Sequence, residues 1–129
     1  MTRTKKMRTV KTDAAPAAIG PYSQAKITGD LMFASGQIPV NPASGKIEAA
    51  DIEGQTEQVC KNIQALLEAA GSSMDKVVKT VCFLADIADF AAFNKVYEKF
   101  FTSCPARSCV AVKDIPKGAL CEIECIAEV

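Results

Sequence analysis

The residues able to do chemistry are few and lie far apart in the chain. Arg107 stands alone in Cys104-Pro105-Ala106-Arg107-Ser108-Cys109, at the start of an apolar run. Arginine is seldom fully buried without a partner, and its planar fork of donors matches a carboxylate at two points. Glu122 alternates with apolar residues in Leu120-Cys121-Glu122-Ile123-Glu124, and a carboxylate can hold a water molecule or move a proton. Gly20-Pro21-Tyr22-Ser23 sets a tyrosine and a serine beside a turn. Ala34-Ser35-Gly36-Gln37 puts Ser35 and Gly36 at a strand end, where glycine permits close approach to the backbone. Singly, each has a plainer reading. Tyr22 can pack, Ser35 can form a turn, Glu122 can face solvent, and Arg107 can make a surface ion pair of little energetic worth. Jointly, they suit hydrolysis of a small α-substituted carboxylic acid, with arginine gripping the carboxylate and glutamate handling water. Periodicity leaves open whether they meet in space.

Composition narrows the chemistry further. The chain has no histidine, which excludes histidine triads, histidine metal sites and the commonest general base. Fifteen basic residues balance fifteen acidic ones, so no overall field draws nucleic acid or an anionic membrane. No apolar run approaches the roughly 20 residues that span a bilayer. The cysteines at 60, 82, 104, 109, 121 and 125 contain no C-x-x-C pair. Cys121 and Cys125 fall on one predicted strand, about 13 Å apart at about 3.3 Å per residue, too far to share a tetrahedral ion. Reduced core thiols, no metal, no cofactor and a cytoplasmic location are the expectations.

These side chains must be positioned by a small number of elements. Ala25–Thr28 and Leu31–Ser35 read as a hairpin around Gly29-Asp30, which suits a type II′ turn. Residues 36–42, with two prolines, read as a shaped loop. From Asp51 to Ala70 the period becomes helical, with Ile52, Val59, Ile63, Leu66, Leu67 and Ala70 on one stripe and Gly71 as the stop. Val77–Ala85 reads as a strand buried on both faces. Asp86 or Asp89 caps a second helix with Phe90, Phe93, Val96 or Tyr97, and Phe100 on its stripe, ended by Pro105. Strands at 107–112 and 120–129 complete the order. The prediction is one α+β domain over residues 1–129, with about six strands in a mixed sheet and two helices packed on one face. Residues 1–8 read as a basic, frayed extension. In the last strand, Cys121, Ile123, Cys125, Ala127 and Val129 share one face, and Leu120, Glu122, Glu124, Ile126 and Glu128 the other. A face mixing apolar and acidic groups points to contact between copies, hence a homo-oligomer.

The chain also resembles a known family. Ala14-Ala15-Pro16-Ala17-Ala18-Ile19-Gly20-Pro21-Tyr22-Ser23-Gln24-Ala25, the stretch from Phe33 to Ile47, the helix around Gln55–Gly71, Asp89–Phe101, and Pro105 to Val129 are similar to the RidA/YjgF enamine/imine deaminases. The resemblance runs from about Val10 to Val129, in order and spacing, with Met7 a plausible alternative start. It implies a chorismate-mutase-like fold, a homotrimer with a central barrel, and sites in clefts between subunits. It implies hydrolysis of 2-aminoacrylate and 2-aminocrotonate, through their imine tautomers, to 2-keto acids and ammonia, which protects pyridoxal-phosphate enzymes. Carried over by position, Arg107 grips the substrate carboxylate and Glu122 positions or activates water. Tyr22, Ser35 and Asn94 match other pocket positions, Gly36 supplies backbone near the ligand, and Cys109 presents backbone while its thiol need not react. Cys104 departs from the apolar residue common before Pro-Ala-Arg. Two other readings stand beside this one: a trimer that binds small keto acids without turnover, and RNA cleavage or translation inhibition. Zero net charge and the lack of histidine disfavour the last.

Overall fold

Asp51 accepts a hydrogen bond from the Gly54 N–H at 2.8 Å and so starts helix α1, Ile52–Ala69. At its far end Gly71 adopts φ +78°, the left-handed stop that a side chain would strain. One stripe of α1, containing Val59, Cys60, Ile63, Leu66 and Leu67, is wholly buried. Each large aliphatic among them contributes about 1.5–3 kcal/mol by leaving water. The computed structural model describes residues 6–129.

Eight strands and a second helix complete the described chain: β1 (Arg8–Val10), β2 (Ala25–Thr28), β3 (Leu31–Gln37), β4 (Val40–Asn41), β5 (Lys46–Ile47), β6 (Val77–Leu84), α2 (Phe90–Phe100), β7 (Ala106–Ala111) and β8 (Cys121–Glu128). Six strands form a mixed sheet in the order β1-β2-β3-β8-β6-β7, and β4 pairs only with β5. Among the described strands only β6 and β7 run parallel, and α2 is the crossover that a parallel pair requires. Both helices pack on one face, over Met32, Cys82, Leu84, Cys121, Ile123 and Ala127. This is the α+β layering expected from the sequence.

Several expectations need correction. Arg8 is not part of a frayed tail: it opens β1 and pairs with Ile27, which supplies the sixth strand. Lys6 and Met7 precede β1 outside any element and are exposed, and residues 1–5 of that predicted extension lie outside the described residues. Residues 36 and 37 continue β3 instead of starting the loop, with a register shift against β8 between Ala34 and Gln37. The β2–β3 turn fits its expectation, since Gly29 takes φ +58° while Asp30 stays out of that region.

Strand β6 is not buried on both faces in this chain. Thr80, Cys82 and Leu84 point into the core, Val81 and Phe83 are half-buried, and Val78 is 42% exposed. Helices cover one face only, so the other keeps its apolar residues partly open. In β8 the alternation is as read, with Cys121, Ile123, Cys125 and Ala127 buried and Glu122, Glu124 and Ile126 half-buried.

Asp86 caps a short 3-10 turn through the Ala88 N–H at 2.9 Å, while Asp89 at the start of α2 makes no side-chain cap. The second helix stops at Phe100, five residues before Pro105. There the Phe101 side chain turns into the core and the Ser103 hydroxyl donates to the Val77 carbonyl at 2.8 Å.

Candidate functional site

Strand β7 places Arg107 opposite Thr80 and Cys109 opposite Cys82, so both side chains lie on the helix-covered side of the sheet, at its open edge. Helix α2 presents Phe90, Asn94 and Tyr97 toward them, a spacing that keeps all three on one helix face. The Arg107 Nη1 donates to Asn94 Oδ1 at 2.7 Å. Its guanidinium carbon lies 4.8 Å from the Tyr97 ring centre and 5.5 Å from that of Phe90. Cation–π contact and the Asn94 bond together fix the plane of the fork. Beside it opens a cleft of about 700 Å³ walled by Asn94, Tyr97, Glu98, Cys104, Pro105 and Arg107. Cys104 sits exposed on its rim with φ +50°.

Cys109 is half-buried. Burial pushes its thiol above the ordinary value, although the Arg107 charge pulls the other way. It is therefore protonated at neutral pH and poorly suited to attack a substrate.

The remaining expected residues gather elsewhere. Tyr22, 52% exposed, and Gly36 line a pocket of about 230 Å³ with Ile19, Ile38, Val40 and Lys117. The segment bearing Tyr22 is tied down by Gln24, which is only 4% exposed. Its amide donates to the carbonyls of Thr12 at 3.0 Å and Pro16 at 2.8 Å, and its oxygen accepts from the Thr12 N–H at 2.8 Å. The Ser35 hydroxyl donates to the Ser23 carbonyl at 2.6 Å, joining this segment to β3.

Gly36 lies against Glu122: a Cβ there would overlap the carboxylate and come within 2.9 Å of its carboxyl carbon. The close approach that this glycine permits is thus filled by the chain's own glutamate. Burial raises the Glu122 carboxyl above the usual carboxylate range, and the Glu124 charge adds to the rise. Such a group holds its proton more readily and is a stronger base once ionised.

Glu122 pairs with Phe83 on the face away from the helices, while Arg107 pairs with Thr80 on the helix side. One copy therefore assembles two clusters. Arg107, Asn94 and Cys109 form one; Tyr22, Ser35, Gly36 and Glu122 form the other. The register thus sets Arg107 and Glu122 on opposite faces of one copy's sheet. Among the described residues, no group of three His, Cys, Asp or Glu side chains is arranged to hold a metal ion. No described helix is long and apolar enough to cross a membrane.

Sequence reasoning missed the aromatic shelf and the Gln24 hub. Tyr97 is buried in the core as its stripe predicts, yet its ring also carries the Arg107 guanidinium, whereas Phe90 is 37% exposed; their spacing to Asn94 is the available signal. Nothing local marks Gln24, because its partners are carbonyls of a nonregular segment.

Known proteins match over nearly the whole chain. The family model described as endoribonuclease L-PSP matches residues 12–129. AldR of Lactococcus lactis, described as a candidate regulator, is 56% identical over 95% of this chain and 98% of its own. The 2-iminobutanoate/2-iminopropanoate deaminase of Escherichia coli K12 is 48% identical, covering 93% of this chain and 96% of the enzyme. Among solved structures, E. coli TdcF with bound serine is 42% identical, with a TM-score of 0.90 over 95% of this chain and 98% of that one.

Proposed function

The chain belongs to the endoribonuclease L-PSP family, the RidA/YjgF proteins, and we propose that it hydrolyses small 2-imino acids to 2-keto acids and ammonia. The substrates are 2-iminopropanoate and 2-iminobutanoate, the tautomers of 2-aminoacrylate and 2-aminocrotonate, and their removal protects pyridoxal-phosphate enzymes. One observation carries this reading. Arg107 is held by Asn94, Phe90 and Tyr97 at the wall of an open cleft, so an anion-binding fork is preorganised.

Arg107 takes the substrate carboxylate. Glu122 of a neighbouring copy accepts a proton from water as the oxygen bonds to the imine carbon and passes that proton to the imine nitrogen, giving a neutral carbinolamine. Tyr22 and Ser35 wall the pocket around that water, and Gly36 leaves room for the carboxylate. The carbinolamine then collapses: Glu122 takes the hydroxyl proton as the carbonyl forms and delivers it to the nitrogen as the C–N bond breaks and ammonia leaves. The C=N carbon is already electrophilic, so this hydrolysis needs no cofactor. Three copies in a ring, closed around a barrel lined by the half-buried sheet faces, supply the two clusters to each shared cleft. A cytoplasmic protein is the matching location, beside the dehydratases that release such imines.

The test is a coupled assay in which a threonine dehydratase acts on serine or threonine and semicarbazide traps surviving imine. Wild type should suppress the trapped product and Arg107→Ala should not. Equal trapping with and without wild type would remove the deaminase reading. The candidate-regulator description of AldR supports a second reading, a keto-acid-binding trimer without turnover. In that case 2-ketobutyrate binds and the imine persists.

A further inference from the structure

Thr80 is wholly buried in the sheet, one strand from Arg107 and in register with it. A buried hydroxyl without a partner is costly. Thr80 shares a 2.7 Å hydrogen bond with the Tyr97 hydroxyl, and the Cys82 thiol donates to Thr80 Oγ1 at 3.8 Å. Tyr97 is held on its flanks too. Its ring stacks on Phe101 at 4.3 Å between centres and leans on Phe93 at 5.7 Å. The ring is therefore fixed at its tip, by Thr80, and along its faces.

That fixed ring is the surface over which the Arg107 guanidinium lies at 4.8 Å. Asn94 engages only one of the five N–H donors of the fork, at Nη1, and a single bond leaves the plane free to tilt. We propose that the Thr80–Tyr97 pair is a positioning device for Arg107, fixing the guanidinium plane so that its remaining donors face the cleft as a two-point carboxylate clamp. Neither residue needs to touch the substrate. Burial raises the Tyr97 phenol to about 12, so at neutral pH the hydroxyl keeps its proton and the ring face stays that of a neutral phenol.

The polar pair makes the proposal sharply testable, because removing one partner leaves the other stranded while removing both does not. The inference rests on Arg107 as the carboxylate-binding group, so two readouts are used. The first is the dissociation constant for 2-ketobutyrate, with KM and kcat for the imine. The second, needing no ligand, is solvent exchange of the Arg107 Nε–H proton by NMR.

Thr80→Val should weaken 2-ketobutyrate binding about fivefold and raise KM in proportion, with kcat within about twofold. Thr80→Val with Tyr97→Phe should return binding to within about twofold of wild type. Tyr97→Leu, which removes the ring, should weaken binding about tenfold and accelerate Nε–H exchange. If Tyr97→Leu does not fold, the partly exposed Phe90→Leu reports on the same shelf, with about threefold weaker binding expected. The proposal is overturned if the double variant binds as poorly as Thr80→Val, or if loss of the ring leaves Nε–H exchange unchanged. Should wild type bind no 2-ketobutyrate, the carboxylate reading falls, and the exchange rates alone still decide whether the pair positions Arg107.

Discussion

Arg107 meets an asparagine and two aromatic rings of its own chain, whereas Glu122 meets a glycine, an acidic neighbour two residues on, and no hydrogen-bond or ion-pair partner among the described residues. The cation is held in place before any ligand arrives. The carboxylate is partly desolvated and uncompensated, so its ionised form is strained relative to water. A group that binds benefits from fixed partners; a group that exchanges protons benefits from having none. The contrast between these two surroundings supports the proposed roles better than either residue type does alone.

Removing the reactive carboxylate should have the largest effect. Glu122→Gln is expected to lower kcat by at least about a hundredfold while 2-ketobutyrate binding stays within about threefold, seen by steady-state kinetics beside calorimetry. The same variant carries a stability signature with a definite sign. Native Glu122 holds its proton more tightly than the unfolded chain does, so ionising it above its raised native pKa costs stability. Glu122→Gln should therefore melt higher than wild type at pH 7. The gain should vanish as pH falls below about 4.3, where the unfolded carboxyl is protonated too. A variant that melts lower at pH 7 would mean that the carboxylate has a partner after all.

Arg107→Ala comes next. Charge-assisted bonds to a carboxylate contribute about 1.5–3 kcal/mol, so kcat/KM should fall up to about a hundredfold, with KM carrying much of the loss. Arg107→Lys should recover only part, because a point charge lacks the fork. Recovery to the wild-type rate would show that charge alone suffices.

Gly36→Ala probes the other wall more gently. The added methyl displaces the end of a flexible side chain, so the fold should persist while kcat drops about tenfold through a misplaced Glu122. Unchanged kcat with an unchanged melting temperature would detach Gly36 from the chemistry. Cys109→Ser should do least, changing kcat/KM less than about threefold, since its thiol is held protonated by burial. Near-complete loss would restore the thiol to the mechanism.

Much of this arrangement was legible in the sequence, for identifiable reasons. Helix α1 announced itself by its apolar stripe, Asp51 and Gly71, all local signals. The two-faced β8 followed from strict alternation. What escaped depended on contacts distant in sequence. β1 is a three-residue strand with one buried side chain, and only its pairing with β2 gives it structure. The apolar run of β6 suggested burial on both faces, because periodicity cannot count the layers above a sheet. The placement of Arg107 and Glu122 on opposite faces follows from the register of β6 with β7 and β8, which no single segment encodes. A cleft shared between copies, as the family resemblance implies, is the arrangement in which the proposed mechanism joins them.

Complementation between two inactive variants tests that shared cleft most directly. Arg107→Ala and Glu122→Gln chains, carrying different affinity tags, would be co-expressed and purified through both tags, then assayed for imine hydrolysis. In a mixed ring of three, on the order of one cleft in three joins an intact Arg107 to an intact Glu122, so activity should return to about a third of wild type. Mixed oligomers that stay as inactive as either parent would contradict the account, placing both residues' roles within a single chain.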